Sequence, residues 1–548
     1  MRSGTSQPRL AIIGCGSGGL ISLKTALAEL PGWQVVCFEK SDQIIGCWGN
    51  PYPGFVSTST KYTTQFACFP ERDAAVEADS GQSREEFYRG AEYGEYLNRF
   101  ADVFQLRSQI KLGHQVERLT RAEDGSGWSV TYRAMAAPDS SATTTEHFDV
   151  VIVCTGLAAQ IKEIETTIST LSLRELNAPN GIAKIRSERI VVFGGGESAV
   201  DFATRLSQPE LGNEVYLSLR SGVRVSPRYH PIRGVPSDFL RNRLMLSIHP
   251  ALRNWIGQRF VEARILHQEH FERWFPAARP NKPAESETQV QSLRKEWAYK
   301  LTKAAKDELF NMFHNKSDDF LDCVAKGTIT IVGPPVDASM ESFYHFGSKE
   351  RIDVRPTKIL PAIGYKSTLS GIAGGALRLP DFHLGCCHVS FPDLFLVGFA
   401  RPIIGNIPTI SEIQAAYVCG LIGGRFPRTE RIAELTAIDQ QQKAARFAKL
   451  DLEAVYPVEM FSYCDVLARN MNSFPSWRNV GSLRAWWSMQ LAPATTAHYL
   501  YHDQQIRRFF ARAPVYMPTL LVVFLLLLKP FDWTFRAVWW LRHRTAAR

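Results

Sequence analysis

The chain opens on an unbroken apolar run, Leu10 to Ile13, and turns at Gly14-Cys15-Gly16-Ser17-Gly18-Gly19 before apolar positions at helical spacing reach about Leu30. A second apolar run, Trp33 to Phe38, ends at Glu39. Continuous apolar runs bounded by turn residues predict strands buried on both faces, and the recurrence between them predicts a helix packed on those strands. Strand, glycine turn, helix and strand together supply the context that a G-x-G-x-x-G dinucleotide fingerprint requires. In that reading Gly14 makes the tight turn, Gly16 lets the backbone approach a pyrophosphate, and Gly19 lets the helix close on the strand. The helix N-terminus favours the anionic pyrophosphate, and Glu39 at the end of the second strand is placed to accept hydrogen bonds from a ribose.

The same pattern returns at Arg189 to Phe193, Gly194-Gly195-Gly196-Glu197-Ser198-Ala199, a helix to about Leu206, and a strand from Glu214 to Leu219. This second unit ends in Arg220-Ser221 rather than in an acid. A guanidinium there pairs with the 2′-phosphate of NADPH, which a carboxylate would repel, so the second nucleotide is expected to be NADPH. His114 to Tyr132 reads as hairpin strands, and Phe148 to Gly156 as a buried strand ending in Thr-Gly, an ending that returns in similar form at Ile359 to Tyr365. Two such junctions around the second unit predict one domain inserted into another. The expected fold is α/β, with two Rossmann-like dinucleotide-binding domains. Residues 1–156 form the first part of one domain, 157–330 the inserted NADPH domain with a helical insertion, 331–440 the second part of the first domain, 441–504 a C-terminal helical extension, and 505–548 a tail.

Charge changes the picture of that tail. The chain carries 63 Lys and Arg against 54 Asp and Glu, a net +9, and residues 505–548 hold eight bases against the single acid Asp532. A nucleic-acid binder carries its basic stripe on the folded body, so this distribution excludes nucleic acid as a partner and points to an anionic membrane surface. Ala513 to Leu528 is free of charge for 16 residues, and Lys529, Pro530 and an aromatic stretch with Trp533, Trp539 and Trp540 follow. As a helix the run rises about 24 Å against a hydrocarbon core of roughly 30 Å, so it is expected to span with snorkelling ends or to lie in one leaflet. The expected fold therefore ends in a C-terminal apolar membrane helix. The expected location is a membrane, that of the endoplasmic reticulum in a eukaryote, with the catalytic body facing the cytosol. Overall, 45% hydrophobic and 21% charged residues exclude a disordered chain. Ten cysteines without a C-x-x-C pair or zinc-ligand spacing predict reduced thiols and no metal site.

Beyond the two fingerprints, the sequence resembles the flavin-containing monooxygenases. The resemblance rests on Gly14 to Gly19, Glu39-Lys40, Ile44 to Trp48, Ser57-Thr58-Ser59-Thr60-Lys61, Gly194 to Asp201, Leu217 to Gly222, Ala362 to Tyr365, Pro392 to Gly398 and Ile407 to Gln414. It covers most of residues 8–500, weakly over 235–310, and the apolar C-terminus looks like the membrane tail of the family's animal members. It implies FAD on the first unit and NADPH on the second, reduction of FAD by NADPH, capture of O2 as a flavin C4a-hydroperoxide, and transfer of one oxygen atom to a soft nitrogen or sulfur nucleophile or a ketone. O2 and a small-molecule substrate are thus the implied partners, and a homo-oligomer is left open. Carried over residue by residue, Gly14, Cys15, Gly16, Ser17, Gly18, Gly19, Glu39, Cys47, Trp48, Ser57 and Ser59 would hold FAD. Gly194, Gly196, Ser198, Ala199, Val200, Asp201, Arg220 and Ser221 would hold NADP.

Two departures set this chain apart. The family places an Asn beside the flavin C4a region, and the aligned residue is Thr58, which offers one hydroxyl in place of an amide donor and acceptor. Thr58 is therefore the candidate catalytic residue, and some leakage to H2O2 is expected. The family also carries a Phe, Gly and His signature ahead of the second fingerprint, but this chain has no His between His147 and His230. The competing readings are an NADPH oxidase releasing H2O2 and a catalytically silent, membrane-bound nucleotide-binding interaction protein. Cys15, Cys47 and the Cys386-Cys387 pair are expected to be packing residues, and Arg401, next to Gly398, reads as a surface residue, the alternative being that it approaches the flavin and stabilises an anionic peroxide.

Overall fold

The computed structural model describes residues 7–544 apart from 45, 49–50, 72–85, 124, 137–141, 158–159, 279–287, 306–308, 311–314, 374–375 and 501–514. The opening apolar runs become β1 (Arg9–Ile13) and β2 (Gln34–Phe38), paired in parallel and joined through α1 (Ser17–Glu29). Leu10, Ala11 and Ile12 have no exposed surface, as an all-apolar strand between two covered faces should not. The chain then runs through β3 (Val56–Thr60) to an antiparallel sheet of His114–Arg121, Trp128–Ala134 and Thr144–Phe148. It returns beside β1 as β4 (Val150–Val153).

From the end of β4 the chain leaves for a second sheet. Here β5 (Arg189–Phe193) and β6 (Glu214–Ser218) pair in parallel across α2 (Glu197–Leu206). The order of this six-stranded sheet is Arg351–Asp353, Ser342–His345, Ile329–Pro335, β6, β5, Lys358–Pro361. Only afterwards does the chain re-enter the first sheet, at Phe382–His383, and β7 (Leu394–Leu396) pairs in parallel with β4. The first sheet is thus completed by strands on either side of the second. Its seven strands run Phe382–His383, Cys387–His388, β7, β4, β1, β2, Ile110–Lys111.

Two further helices position the site. The helical stretch between the sheets includes α3 (Pro250–Leu266), whose first residue is a proline, where a missing N–H costs nothing. After β7, α4 (Ile407–Ile422) packs along α1 in the core of the first domain.

The C-terminal run corrects an expectation. It is helical, α5 (Thr519–Arg544), but no helix among the described residues is long and apolar enough to cross a membrane. The helix does not stop where the apolar run stops: it continues through Lys529, Pro530, Asp532 and Arg536, and the first two residues of the run, 513–514, lie outside the described residues. Those polar groups dock it on the segment before α3. The Asp532 carboxylate, almost wholly buried, accepts from the His249 N–H at 2.6 Å and from Arg536 Nε at 2.9 Å. Lys529 Nζ donates to Ser247 Oγ at 2.6 Å, and Arg536 donates to the Ser247 carbonyl at 2.7 Å. Between these bonds Leu525 and Met517 bury themselves against Leu244 and Ile248. Such a helix has protein partners for its polar side chains.

Candidate active site

One cavity of about 2010 Å³ runs from the β1–α1 turn, past the β5–α2 turn, to a wall built by α3 and α5. At its first end Gly14 adopts φ +98°, and a Cβ there would stand 2.7 Å from the Cys154 carbonyl oxygen. A Cβ on Gly19 would meet the Gly14 carbonyl oxygen at 1.8 Å, so α1 closes on the turn only because that residue is glycine. Gly16 behaves differently: a Cβ would meet nothing nearer than Gly46 Cα at 3.5 Å, because it faces the cavity. The Glu39 carboxylate accepts from the Cys15 N–H at 2.8 Å and the Ser41 N–H at 2.9 Å, one bond on each oxygen. Each oxygen keeps a lone pair for a ribose hydroxyl, and Glu39 lines the cavity. These features fit the adenosine and pyrophosphate of FAD.

The second cleft repeats the arrangement. Gly194 has φ +124° and its Cβ would fall 2.3 Å from the Ala362 carbonyl oxygen, whereas Gly196, the N-cap of α2, has nothing within 4 Å of its own. Arg220 and Ser221 line the cavity just beyond β6, with Arg220 exposed at its edge. This cleft fits NADPH, whose 2′-phosphate would meet that guanidinium.

Where the two clefts meet, side chains from distant segments converge. Thr58 on β3 stands beside the Glu197 carboxylate in the first turn of α2, and Arg401 supplies a neighbouring positive charge. Burial raises the Glu197 carboxyl above its ordinary value, against the pull of Arg401 and of Thr58. Ser198 hydrogen-bonds Tyr365, whose hydroxyl is raised by burial. Burial lowers the Arg401 guanidinium, and Glu197 and Tyr365 oppose that shift. Arg401 is therefore a cavity residue and not the surface residue its sequence context suggests.

Of the residues singled out from the sequence, Gly14, Gly16, Ser17, Gly18, Glu39, Cys47, Ser57, Thr58, Ser59, Gly194, Gly196, Ser198, Arg220 and Ser221 line the cavity. Others sit behind it. Cys15 is buried beneath the turn, Gly19 packs α1 on Gly14, and Ala199 and Val200 belong to the core of the second domain. Asp201 points to Tyr52, whose hydroxyl donates to it. Trp48 ends the short turn Gly46–Trp48, and its side chain lies outside the described residues. Cys47 opens on the cavity, yet its crowded surroundings push the thiol up to about 11, which keeps it protonated. Glu197 and Tyr365 line the junction without having been assigned to it from sequence, and Arg401 lines it as the less favoured of its two sequence readings had it. The available signal was an acid directly after the last glycine of an anion-binding turn, and an arginine three residues beyond Gly398.

Comparison with known proteins bears on the same residues. The model of the flavin-binding monooxygenase-like family matches residues 7–291. A 4-hydroxybenzoate brominase (decarboxylating) of Marinomonas mediterranea is 23% identical over 490 residues, covering 85% of this chain and 84% of the relative. Flavin-containing monooxygenase 1 of Canis lupus familiaris is 23% identical over 506 residues, with the same coverage. Among solved structures, an oxidised steroid monooxygenase bound to NADP superposes with a TM-score of 0.56 at 15% identity, over 85% of this chain and 98% of that one. An S-allyl-L-cysteine S-oxygenase from Allium sativum gives 0.52 at 17% identity, over 91% and 92%. With one cleft shaped for FAD and the other for NADPH, the chain belongs to the flavin-binding monooxygenase-like family and is an FAD- and NADPH-dependent monooxygenase.

Proposed function

We propose that this monooxygenase inserts one atom of O2 into a soft nitrogen or sulfur nucleophile or a ketone. NADPH supplies the hydride, a proton is taken up, and the second oxygen atom leaves as water. The observation that supports this most directly is the convergence of both nucleotide clefts on one cavity at Thr58, Glu197 and Arg401. FAD, when bound, accepts hydride from NADPH and activates O2. The work of the chain is placement: the two glycine turns admit the pyrophosphates, Glu39 orients a ribose, and Arg220 selects NADPH. The Arg401 guanidinium offers a fixed positive charge to an oxyanion developing at the junction, where the low-dielectric surroundings strengthen it. Walls of packed apolar side chains exclude water, which favours transfer to substrate over loss as H2O2.

A second reading, an NADPH oxidase, is favoured by one observation: Thr58 brings a single hydroxyl to the junction, and the neighbouring Glu197 carboxylate competes for it. One experiment separates the two. The FAD-loaded enzyme is supplied with NADPH and isotopically labelled O2 in the presence of a thioether, a tertiary amine or a cyclic ketone. Because one relative is named for brominating 4-hydroxybenzoate, that acid with bromide joins the panel, read out as brominated product since both atoms of O2 then leave as water. Labelled product in proportion to NADPH consumed is the expected result. H2O2 equal to NADPH consumed with every compound would replace the oxygenase reading by the oxidase.

A further inference from the structure

On α3 and the segment before it, the cavity wall carries positive charge with no described carboxylate left to neutralise it. Arg264 on α3 and Arg241, just before the segment that receives α5, both line the cavity and are half-buried. The nearest acid to Arg241 is Asp238, and its charge is taken by Lys316, while it also accepts from the Thr60 N–H at 2.8 Å and the Thr63 hydroxyl at 3.0 Å. Arg253 on the same wall is paired with Glu459, which also pairs with Arg446. No described carboxylate pairs with Arg264.

The surroundings register this excess. Burial and the neighbouring Arg241 push the Arg264 guanidinium down to about 10. Burial pushes the His230 imidazole down to about 3, with Arg264, Arg241 and Arg233 acting in the same direction, so His230 stays neutral and adds no counter-charge. Two like charges held together away from bulk water cost free energy unless an anion arrives with the opposite sign. The rest of the wall is apolar. Phe260 and Val261 precede Arg264 by four and three residues and Ile265 follows it, and Leu521, Phe524 and Leu525 of α5 line the same cavity.

We propose that Arg241 and Arg264 anchor the carboxylate of an organic-acid substrate whose apolar body lies between α3 and α5. A guanidinium pair offers the forked donors that a planar carboxylate accepts in two parallel bonds. The inference deepens the oxygenase reading and rests on it for what happens to the bound acid. The same positive charge could serve a phosphate of NADPH, but the 2′-phosphate is assigned to Arg220, beyond the strand of the second glycine turn and on a different segment, so the pair is assigned to substrate.

The test uses the full-length, FAD-loaded, oxidised enzyme and calorimetric titration with 4-(methylthio)benzoate and its methyl ester, which share a soft sulfur and differ in charge. The acid is expected to bind about tenfold or more tightly than the ester. Arg264→Gln is expected to erase that margin while ester affinity and the dissociation constant of NADP+, which leaves the oxidised flavin unreduced, hold, and Arg264→Lys, which keeps the charge, to retain part of it. Equal binding of acid and ester to the wild type would overturn the proposal. So would an R264Q variant that loses NADP+ affinity as steeply as acid affinity, which would return the arginines to the cofactor. Should R264Q fail to fold, loss of the acid preference in the folded R264K variant would count equally against it. Titration of the oxidised enzyme involves no oxygen transfer, so its failure and that of the oxygenase reading are told apart.

Discussion

At Gly16 a single side chain separates a cofactor cleft from filled space. A valine there would not collide with protein, since Gly46 Cα lies 3.5 Å from the Cβ position; its methyls would occupy the place of a pyrophosphate. Gly16→Val is therefore expected to fold and to purify without FAD, and one FAD per chain in that variant would remove the first cleft from the cofactor assignment. Arg220→Ala is expected to weaken NADPH by about 1.5–3 kcal/mol, roughly 10- to 150-fold, with little effect on NADH. Equal losses for both nucleotides would show that it does not read the 2′-phosphate. Thr58 governs a different quantity. Thr58→Val leaves the Glu197 carboxylate without its hydroxyl partner and is expected to raise H2O2 released per NADPH consumed, whereas Thr58→Asn restores a donor and adds an acceptor and is expected to lower it. An unchanged ratio in both variants would take Thr58 out of the reaction. The fingerprint glycines and Glu39 were legible because turn, strand and acid follow one another within forty residues. The Thr58–Glu197 contact was not, because its partners lie on different domains and meet only when the second sheet folds back on β3.

Among the elements, α5 shows what a hydropathy pattern conceals. The pattern gave a helix, and a helix forms, but the membrane it was expected to enter was the wrong partner: no helix among the described residues is long and apolar enough to cross one, and α5 docks on the segment before α3. A clue did lie in the sequence, since Lys529, Asp532 and Arg536 recur at three- and four-residue spacing and so share one helical face. A face with that much charge asks for polar partners, and Ser247 and the His249 N–H supply them. Removing the buried carboxylate in Asp532→Ala strips an acceptor from both His249 and Arg536, at a cost of about 1.5–3 kcal/mol. Thermal unfolding is expected at a lower temperature than in the wild type. Leu527, 68% exposed on the opposite face, provides the contrast: Leu527→Ser is expected to change stability by less than about 0.5 kcal/mol. Identical melting of the Asp532→Ala variant and the wild type would show that α5 is held by its apolar contacts alone.

On the scale of the whole molecule, function depends on two nucleotide clefts built by separate sheets keeping a fixed relation, and polar contacts around β3 provide it. Arg228 of the second domain donates to the Val56 carbonyl at 2.6 Å and the Ser57 carbonyl at 3.0 Å, and Arg205 on α2 donates to the Gly54 carbonyl. Tyr52, just upstream, donates to Asp201 on α2, with its ring 4.8 Å from that of Phe202. The inserted arrangement was legible from two strand endings around a second fingerprint, but these bonds were not, because backbone carbonyls leave no mark on a sequence. They predict a separation of effects. Tyr52→Phe keeps the ring packing and removes the bond to Asp201, so FAD content should hold while the second cleft gains freedom to shift relative to the first. Displacement of reacting groups by about 1 Å costs up to roughly a hundredfold in rate, and a partial loosening is expected to slow anaerobic reduction of the flavin at saturating NADPH by about tenfold. The rate is read from the bleaching of flavin absorbance after rapid mixing. If reduction proceeds at the wild-type rate while the unfolding temperature drops, the contact stabilises the molecule without setting the distance between its clefts, and that role passes to Arg228.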